Sequence, residues 1–322
     1  MTADPPPHSA CLVIPTRNGM PAIADTLRAV QDQGDEPRVR IVIDSDSEDA
    51  TREVARELGF HVEKIPLESF DHGGTRRYAV EAFASECDVV IFLTQDAEPA
   101  TPDAFEKLLS RFEDPAVAAA YGRQLPRPDA TPIEAHARLF NYPAENHEHT
   151  ADDIASRGIR AAFFSNSWAA YRTSDLATVG GIPRQAVCSE DVYVAAKLLL
   201  AGKKIAYAGD AAVYHSHKLS LLGEFRRYFD IGAYHRIENW LLETLGEPHG
   251  EGGRFVRSEL SYLLRVAPWR IPEALLRTLL KLAGYKLGRV HRHLPRALVR
   301  WISANRGCWD RSFATEAQRT QR

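Results

Sequence analysis

Short apolar runs recur along the first third of the chain, and each ends abruptly in a polar cluster. "ACLVIPTRNG" is a strand broken by Pro15 and Gly19, and "VRIVIDSDSEDAT" a second strand ending in acids. "HVEKIPL" gives a third, and "DVVIFLTQDAEP" a fourth. Between them, "MPAIADTLRAVQDQ" places Ile23, Leu27 and Val30 at helical spacing, and "TREVARELGF" reads as a helix closed by Gly59. "GTRRYAVEAFASE" is the third helix of this series. Strands alternating with helices predict an α/β fold with a doubly wound, mainly parallel sheet. Such sheets bind ligands at the carboxyl ends of their strands, where the polar clusters after Ile14, Ile43 and Leu93 fall.

The last third has a different pattern. From Arg254 to Arg300, leucines and aromatics recur at helical intervals among 11 Lys and Arg and 2 Glu, a balance of +9. The chain as a whole carries -3, so the remainder carries -12. Basic amphipathic helices of this kind lie in a membrane interface, or they pack on the catalytic domain or a second copy in a homo-oligomer. Pro268, Pro272 and Pro295 divide the stretch into several helices.

Composition narrows the field. The 322 residues are 44% hydrophobic and 26% charged, the balance of a soluble globular protein. A net charge of -3 gives no reason to expect nucleic acid. No apolar stretch approaches the roughly 20 residues needed to cross a bilayer. "MTADPPPHSA" has neither a basic nor an apolar leader segment, so residues 1–9 are expected to be a disordered leader. Cys11, Cys87, Cys188 and Cys308 are few and scattered, which fits reduced thiols and a cytoplasmic setting better than a disulfide framework.

Candidate chemistry sits in the polar clusters. "PTRNG" is not a G-x-G-x-x-G loop, and the chain has no G-x-x-x-x-G-K-[ST], so dinucleotide and P-loop readings lack their phosphate-cradling glycines. Asp44 and Asp46 end the second strand and can accept hydrogen bonds from a base or a ribose; Asp49 suits capping of the next helix. "CSEDVYVAAKLLLAG" opens on Ser189 as an N-cap, with Glu190 and Asp191 in the first turn. Those acids either complement the helix dipole or serve as a base. "VYHSH" puts His215 and His217 on one face of a strand, without a third ligand spaced for zinc.

These residues carry a resemblance. "VIPTRNG", "VIDSDSEDAT", "FLTQDAEP", "CSEDVYVAAKLLLAGKKIAY" and "VYHSH", in that order, resemble family 2 glycosyltransferases with the GT-A fold over roughly residues 10 to 220. "FDHGGTRRYAV", "FFSNSWAAYR", "YHSHKLS", "FRRYFDIGAYH" and "KLAGYKLGRVHRHLPRAL" extend the likeness to bacterial rhamnosyltransferases that use dTDP-L-rhamnose. The resemblance implies a GT-A catalytic domain over residues 10–220 and a helical C-terminal region over 221–322. It implies an inverting transfer of L-rhamnose to a saccharide or lipid-linked saccharide, at the inner face of the cell membrane. Asp191 is then the base, with Glu190 orienting the acceptor or Asp191. Asp96 is a ligand of Mg2+ or Mn2+, although Thr94 stands where the family's D-x-D has its first Asp, and His215 or His217 is the second metal ligand. Pro15, Thr16, Arg17, Asp44, Asp46, Arg76, Arg77 and Gln95 are expected around the donor, with Asn166 and Trp168 as acceptor candidates or, for Trp168, core. Two other readings stand beside this one: a family 2 transferase for another nucleotide sugar, and a non-catalytic nucleotide-sugar-binding membrane scaffold.

Overall fold

A computed structural model describes residues 9–33, 37, 39–84, 87–216, 218–248 and 250–311. Among the described residues, nine strands form a single sheet: β1 (Ala10–Thr16), β2 (Val39–Asp44), β3 (His61–Lys64), β4 (Val89–Leu93), β5 (Glu98–Pro99), β6 (Val117–Leu125), β7 (His147–His149), β8 (Trp168–Arg172) and β9 (Lys204–Tyr214). The order is β3-β2-β1-β4-β8-β6-β9-β5, with β7 paired to β9. The four strands read from the sequence are the parallel half, and β6 pairs β9 in parallel as well. β8 enters antiparallel between β4 and β6.

β1 and β4 are buried on both faces: Leu12, Val13, Ile14, Val90, Ile91 and Phe92 are fully inaccessible. This explains why they read as continuous apolar runs rather than alternating ones. One core cluster, with Val13, Phe92, Tyr121 and Tyr171, lies under the helix Glu190–Leu200. A second, with Ile14, Leu27, Leu93, Phe105 and Trp168, lies under the helix Ala22–Gln31.

Three expectations change here. Cys11 and Cys87 form a disulfide, against the reading of scattered reduced thiols. The sequence separates them by 76 residues, but β1 and β4 are neighbours and bring them together. Of the expected leader, residues 1–8 lie outside the described residues, whereas Ser9 is tied to the Asp88 carboxylate through its backbone N–H and hydroxyl, each at 3.0 Å. Ser189 stands at the N-cap position but in a left-handed conformation, φ 58°, with no side-chain capping bond.

The C-terminal region is helical: Leu221–Ile237, Asn239–Leu245, Glu251–Val266, Ile271–Arg289 and Arg296–Ile302. Among the described residues no helix is long and apolar enough to cross a membrane.

Candidate active site

The loops after β1 and β2 are stitched to each other. Asn18 N–H donates to Ser47 Oγ at 2.8 Å, Glu48 N–H to Asn18 Oδ1 at 2.8 Å, and Met20 N–H to Asp49 Oδ2 at 3.1 Å. Asp49 thus ties two loops and also caps the helix Thr51–Glu57, its Oδ1 accepting from the Thr51 N–H at 3.1 Å. Asp44 is fully buried and accepts from Ser47 N–H at 3.0 Å. Asp46 stays at the surface, 2.7 Å from Lys64 Nζ, and that hydrogen-bonded cation holds its carboxyl below the ordinary range. Across the sheet, Thr16 Oγ1 and Arg17 N–H both donate to Gln95 Oε1, at 2.6 and 2.9 Å. Pro15, Thr16, Arg17, Asp44, Asp46 and Gln95 therefore share one end of the sheet. Arg17 is exposed and Pro15 partly so.

Asp96 follows β4. Its carbonyl accepts from Arg127 at 2.9 Å, and its carboxylate lies 3.5 Å from His215 Nε2. His215 is buried, and its Nδ1 is 2.9 Å from Gln124 Oε1. That oxygen also accepts from Arg138 at 2.6 Å, while Gln124 Nε2 donates to Ser165 Oγ at 2.9 Å. The amide is thereby fixed with its oxygen towards His215, so Nδ1 carries the ring proton and Nε2 turns its lone pair to Asp96. Burial holds the imidazole below its ordinary pKa despite Asp96. Two electron-rich groups facing each other suit a cation between them, and a ligating histidine commonly donates its other N–H to a carbonyl. Mg2+ or Mn2+ takes one or two protein ligands with phosphates and water, and Mn2+ accepts imidazole, so the pair fits such an ion. Among the described residues, no group of three or more His, Cys, Asp or Glu converges to hold a metal by itself. His217 lies outside the described residues. A cavity of about 320 Å³ opens beside this pair, lined among others by Arg138, Tyr142, Ser216 and Arg227.

The acid pair opens the helix Glu190–Leu200. Glu190 is buried, 3.1 Å from Arg76 Nη1, and accepts from Asn166 Nδ2 at 3.1 Å. Burial alone pushes its carboxyl up; Arg76 and His72 outweigh that and hold it low, as an anion. Asp191 keeps part of its surface open and accepts from Asn166 N–H at 3.1 Å and Val192 N–H at 2.8 Å. Burial, and then the charge of Glu190, raise its pKa to about 7. A carboxylate poised near neutrality is what a general base requires. The segment from Ser165 to Ser167 links both centres: Ser165 holds Gln124, Asn166 holds Asp191 and Glu190, and the Ser167 carbonyl accepts from Thr94 N–H at 3.1 Å.

Several expected roles change with this geometry. Arg76 is buried behind the acids, donating also to the His72 carbonyl at 2.9 Å, instead of standing open to phosphate. Arg77 turns away, to Glu81 at 2.7 Å and the Gly180 carbonyl at 3.0 Å. Asn166 is buried, and its side chain is spent on Glu190 and Tyr171 rather than left open for an acceptor. Trp168 is core: fully buried on β8, it donates to the Ala211 carbonyl at 3.1 Å and packs edge-on against Phe105. Gln124 and Arg138 were missed. Both sit in stretches that read as ordinary strand and helix; the pairing of β6 with β9 brings Gln124 to His215, and Arg138 reaches Gln124 from the helix Pro132–Asn141.

Residues 11–180 match the model of the family described as Glycosyl transferase family 2. The chain is 44% identical over 303 residues to the O-antigen chain rhamnosyltransferase WbaN of Salmonella anatum, covering 94% of this chain and 96% of that protein. It is 43% identical to RfbN of Salmonella typhimurium, also an O-antigen chain rhamnosyltransferase, over 93% of this chain and 95% of that one. Among solved structures it is similar in fold to the mannosyltransferase PcManGT from Pyrobaculum calidifontis, in complex with GDP-Man and Mn2+. The TM-score is 0.56 and the identity 18%, covering 94% of this chain and 84% of that one. S. aureus TarS 1-349 superposes with a TM-score of 0.53 at 16% identity, covering 98% and 92%. With that family model matched over half of its length and relatives of this identity covered almost end to end, the chain belongs to glycosyltransferase family 2.

Proposed function

We propose that this glycosyltransferase moves an L-rhamnosyl group from dTDP-L-rhamnose to a hydroxyl of a saccharide, free or lipid-linked, in the synthesis of a bacterial surface polysaccharide such as O-antigen. The observation that carries the mechanism is Asp191, a partly open carboxylate raised to about 7 beside a neighbour held anionic. Asp191 takes the proton of the acceptor hydroxyl while its oxygen bonds to the anomeric carbon. The bond from that carbon to the donor phosphate breaks, and its electron pair leaves with dTDP. With one base and no enzyme nucleophile assigned, a single displacement inverts the anomeric centre. Asn166, Glu190 and Arg76 position the base. Asp96 and His215 would hold Mg2+ or Mn2+, which as a Lewis acid neutralises charge on a leaving diphosphate. Thr16, Arg17, Gln95, Asp44 and Asp46 are assigned to the donor side. The rhamnosyl assignment is supported by full-length relatives with that name.

The same reading puts the enzyme at the inner face of the membrane. Trp269, Leu264, Leu279 and Trp301 are 73%, 64%, 64% and 58% exposed on the basic C-terminal helices. Large apolar side chains flanked by arginine suit an anionic lipid surface.

The test is a thermal-shift and turnover screen of dTDP-L-rhamnose against UDP- and GDP-sugars, with and without EDTA. The expected result is stabilisation and turnover with the dTDP sugar, lost in EDTA and restored by Mg2+ or Mn2+. Preference for another nucleotide overturns the donor assignment, and full activity in EDTA overturns the role of Asp96.

A further inference from the structure

A groove runs between the helices Pro132–Asn141 and Glu251–Val266. Its inner chamber, about 680 Å³, is lined by Arg157, Arg160 and Arg254. Its outer part, about 530 Å³, is lined by Arg254, Arg257 and Arg265. The two share Leu139, Phe140, Arg254 and Ser258, so they are one groove. At its inner end the chamber shares Asn141, Arg160 and Phe163 with the cavity beside His215.

The charge of this groove is unbalanced. Five arginines line it against one acid, Glu251, which Arg160 and Arg254 already engage at 3.4 and 3.3 Å. Among the described residues, Arg157, Arg257 and Arg265 have no carboxylate partner. Burial keeps His147 and His149 below their ordinary pKa, so the histidines of the inner chamber are neutral hydrogen-bonding groups. Phe163 closes the inner end three residues before Asn166, which holds both acids. Three extended residues span at most about 10–11 Å, so the chamber ends close to the acid pair. The outer end lies beside exposed Leu264, Val266 and Trp269.

We propose that this groove binds the phosphate or diphosphate of the acceptor, holding a phosphoryl-linked saccharide with its sugar towards Asp191. Guanidinium groups recognise phosphate oxygens through paired N–H donors. The same chemistry would recognise an anionic lipid headgroup. A concave site that shares Asn141, Arg160 and Phe163 with the cavity beside His215 favours the acceptor, because a headgroup needs only the outer surface. The inference rests on the transferase reading above.

The test uses the full chain and an Arg157→Ala/Arg257→Ala variant, both positions being exposed. With the donor site saturated by dTDP, inorganic pyrophosphate should bind the variant at least tenfold more weakly, while the Kd for dTDP stays the same. The preference for a diphosphate-bearing saccharide over the same saccharide without it should also fall at least tenfold, with partial recovery in the Arg→Lys pair. An unchanged pyrophosphate Kd, or equal losses on both saccharides, overturns the proposal. So does weaker flotation with anionic vesicles while saccharide preference holds, since the groove then reads lipid. If the wild type turns over neither saccharide yet shows arginine-dependent pyrophosphate binding, the groove stands and the transferase reading fails.

Discussion

Glu190 and Asp191 are adjacent in sequence and identical in charge, yet their surroundings drive them apart. Arg76 and His72 keep Glu190 ionised, and that anion, added to burial, raises Asp191 to about 7. A base must be unprotonated, so kcat/KM should fall tenfold per unit as pH drops below about 7. Glu190→Gln removes the neighbouring charge and leaves Arg76 to act on Asp191, so the acid limb should move to lower pH. A limb that stays in place would mean that Asp191 is not the titrating group. The pair itself was legible in the sequence, as "SED" before an apolar helix. The role of Arg76 was not, because an arginine after two glycines looks the same whether it faces phosphate or an acid 114 residues away. Trp168 was ambiguous for a similar reason: a tryptophan after "FFSNS" gives no sign of which face of the sheet it covers.

At the scale of elements, the helices Leu221–Ile237 and Ile271–Arg289 cross closely through glycines. A Cβ built on Gly288 would lie 2.0 Å from the Phe229 carbonyl oxygen, and one on Gly232 would lie 2.1 Å from that of Tyr285. Gly288→Ala must therefore force two backbones apart, and we expect a loss of about 1–3 kcal/mol, the usual cost of overpacking, measured by denaturant unfolding. Unchanged stability would show that the crossing is loose. The sequence predicted a helical tail and a greasy side, but leucine spacing does not say which side is covered. Leu263 is buried, whereas Leu264, Leu275, Leu276 and Leu279 are exposed, and the covered side is marked by Gly284 and Gly288. The parallel strands β1, β2 and β4 were legible because each carries its own apolar run, whereas β3, HVEK at the sheet edge, is only half-buried. The antiparallel entry of β8 was not, since it depends on pairing with strands about 50 to 80 residues away.

In the whole molecule, one edge of the sheet gathers three functions that lie far apart in the sequence. In the proposed mechanism the β1 and β2 loops serve the donor, Asp96 with His215 the cation, and the helix from Glu190 the base. The C-terminal helices close the far side and form one wall of the arginine groove. The motifs were legible one by one; their convergence required the crossing of β6, β8 and β9. Asp191 at the centre also carries a stability consequence. Its folded pKa is raised above the unfolded value of about 3.9, so its favourable protonated state is lost as pH rises from about 4 to about 7. Above that window the ionised carboxylate destabilises the fold, and an amide relieves it. The most direct measurement is therefore Asp191→Asn at pH 8, scored for transfer, dTDP affinity and Tm together. Transfer should fall by about 10²–10⁴-fold, with dTDP Kd unchanged and Tm equal or higher. Near-normal transfer, or a lowered Tm with loss of dTDP binding, would contradict the assignment of Asp191 as an environment-tuned base.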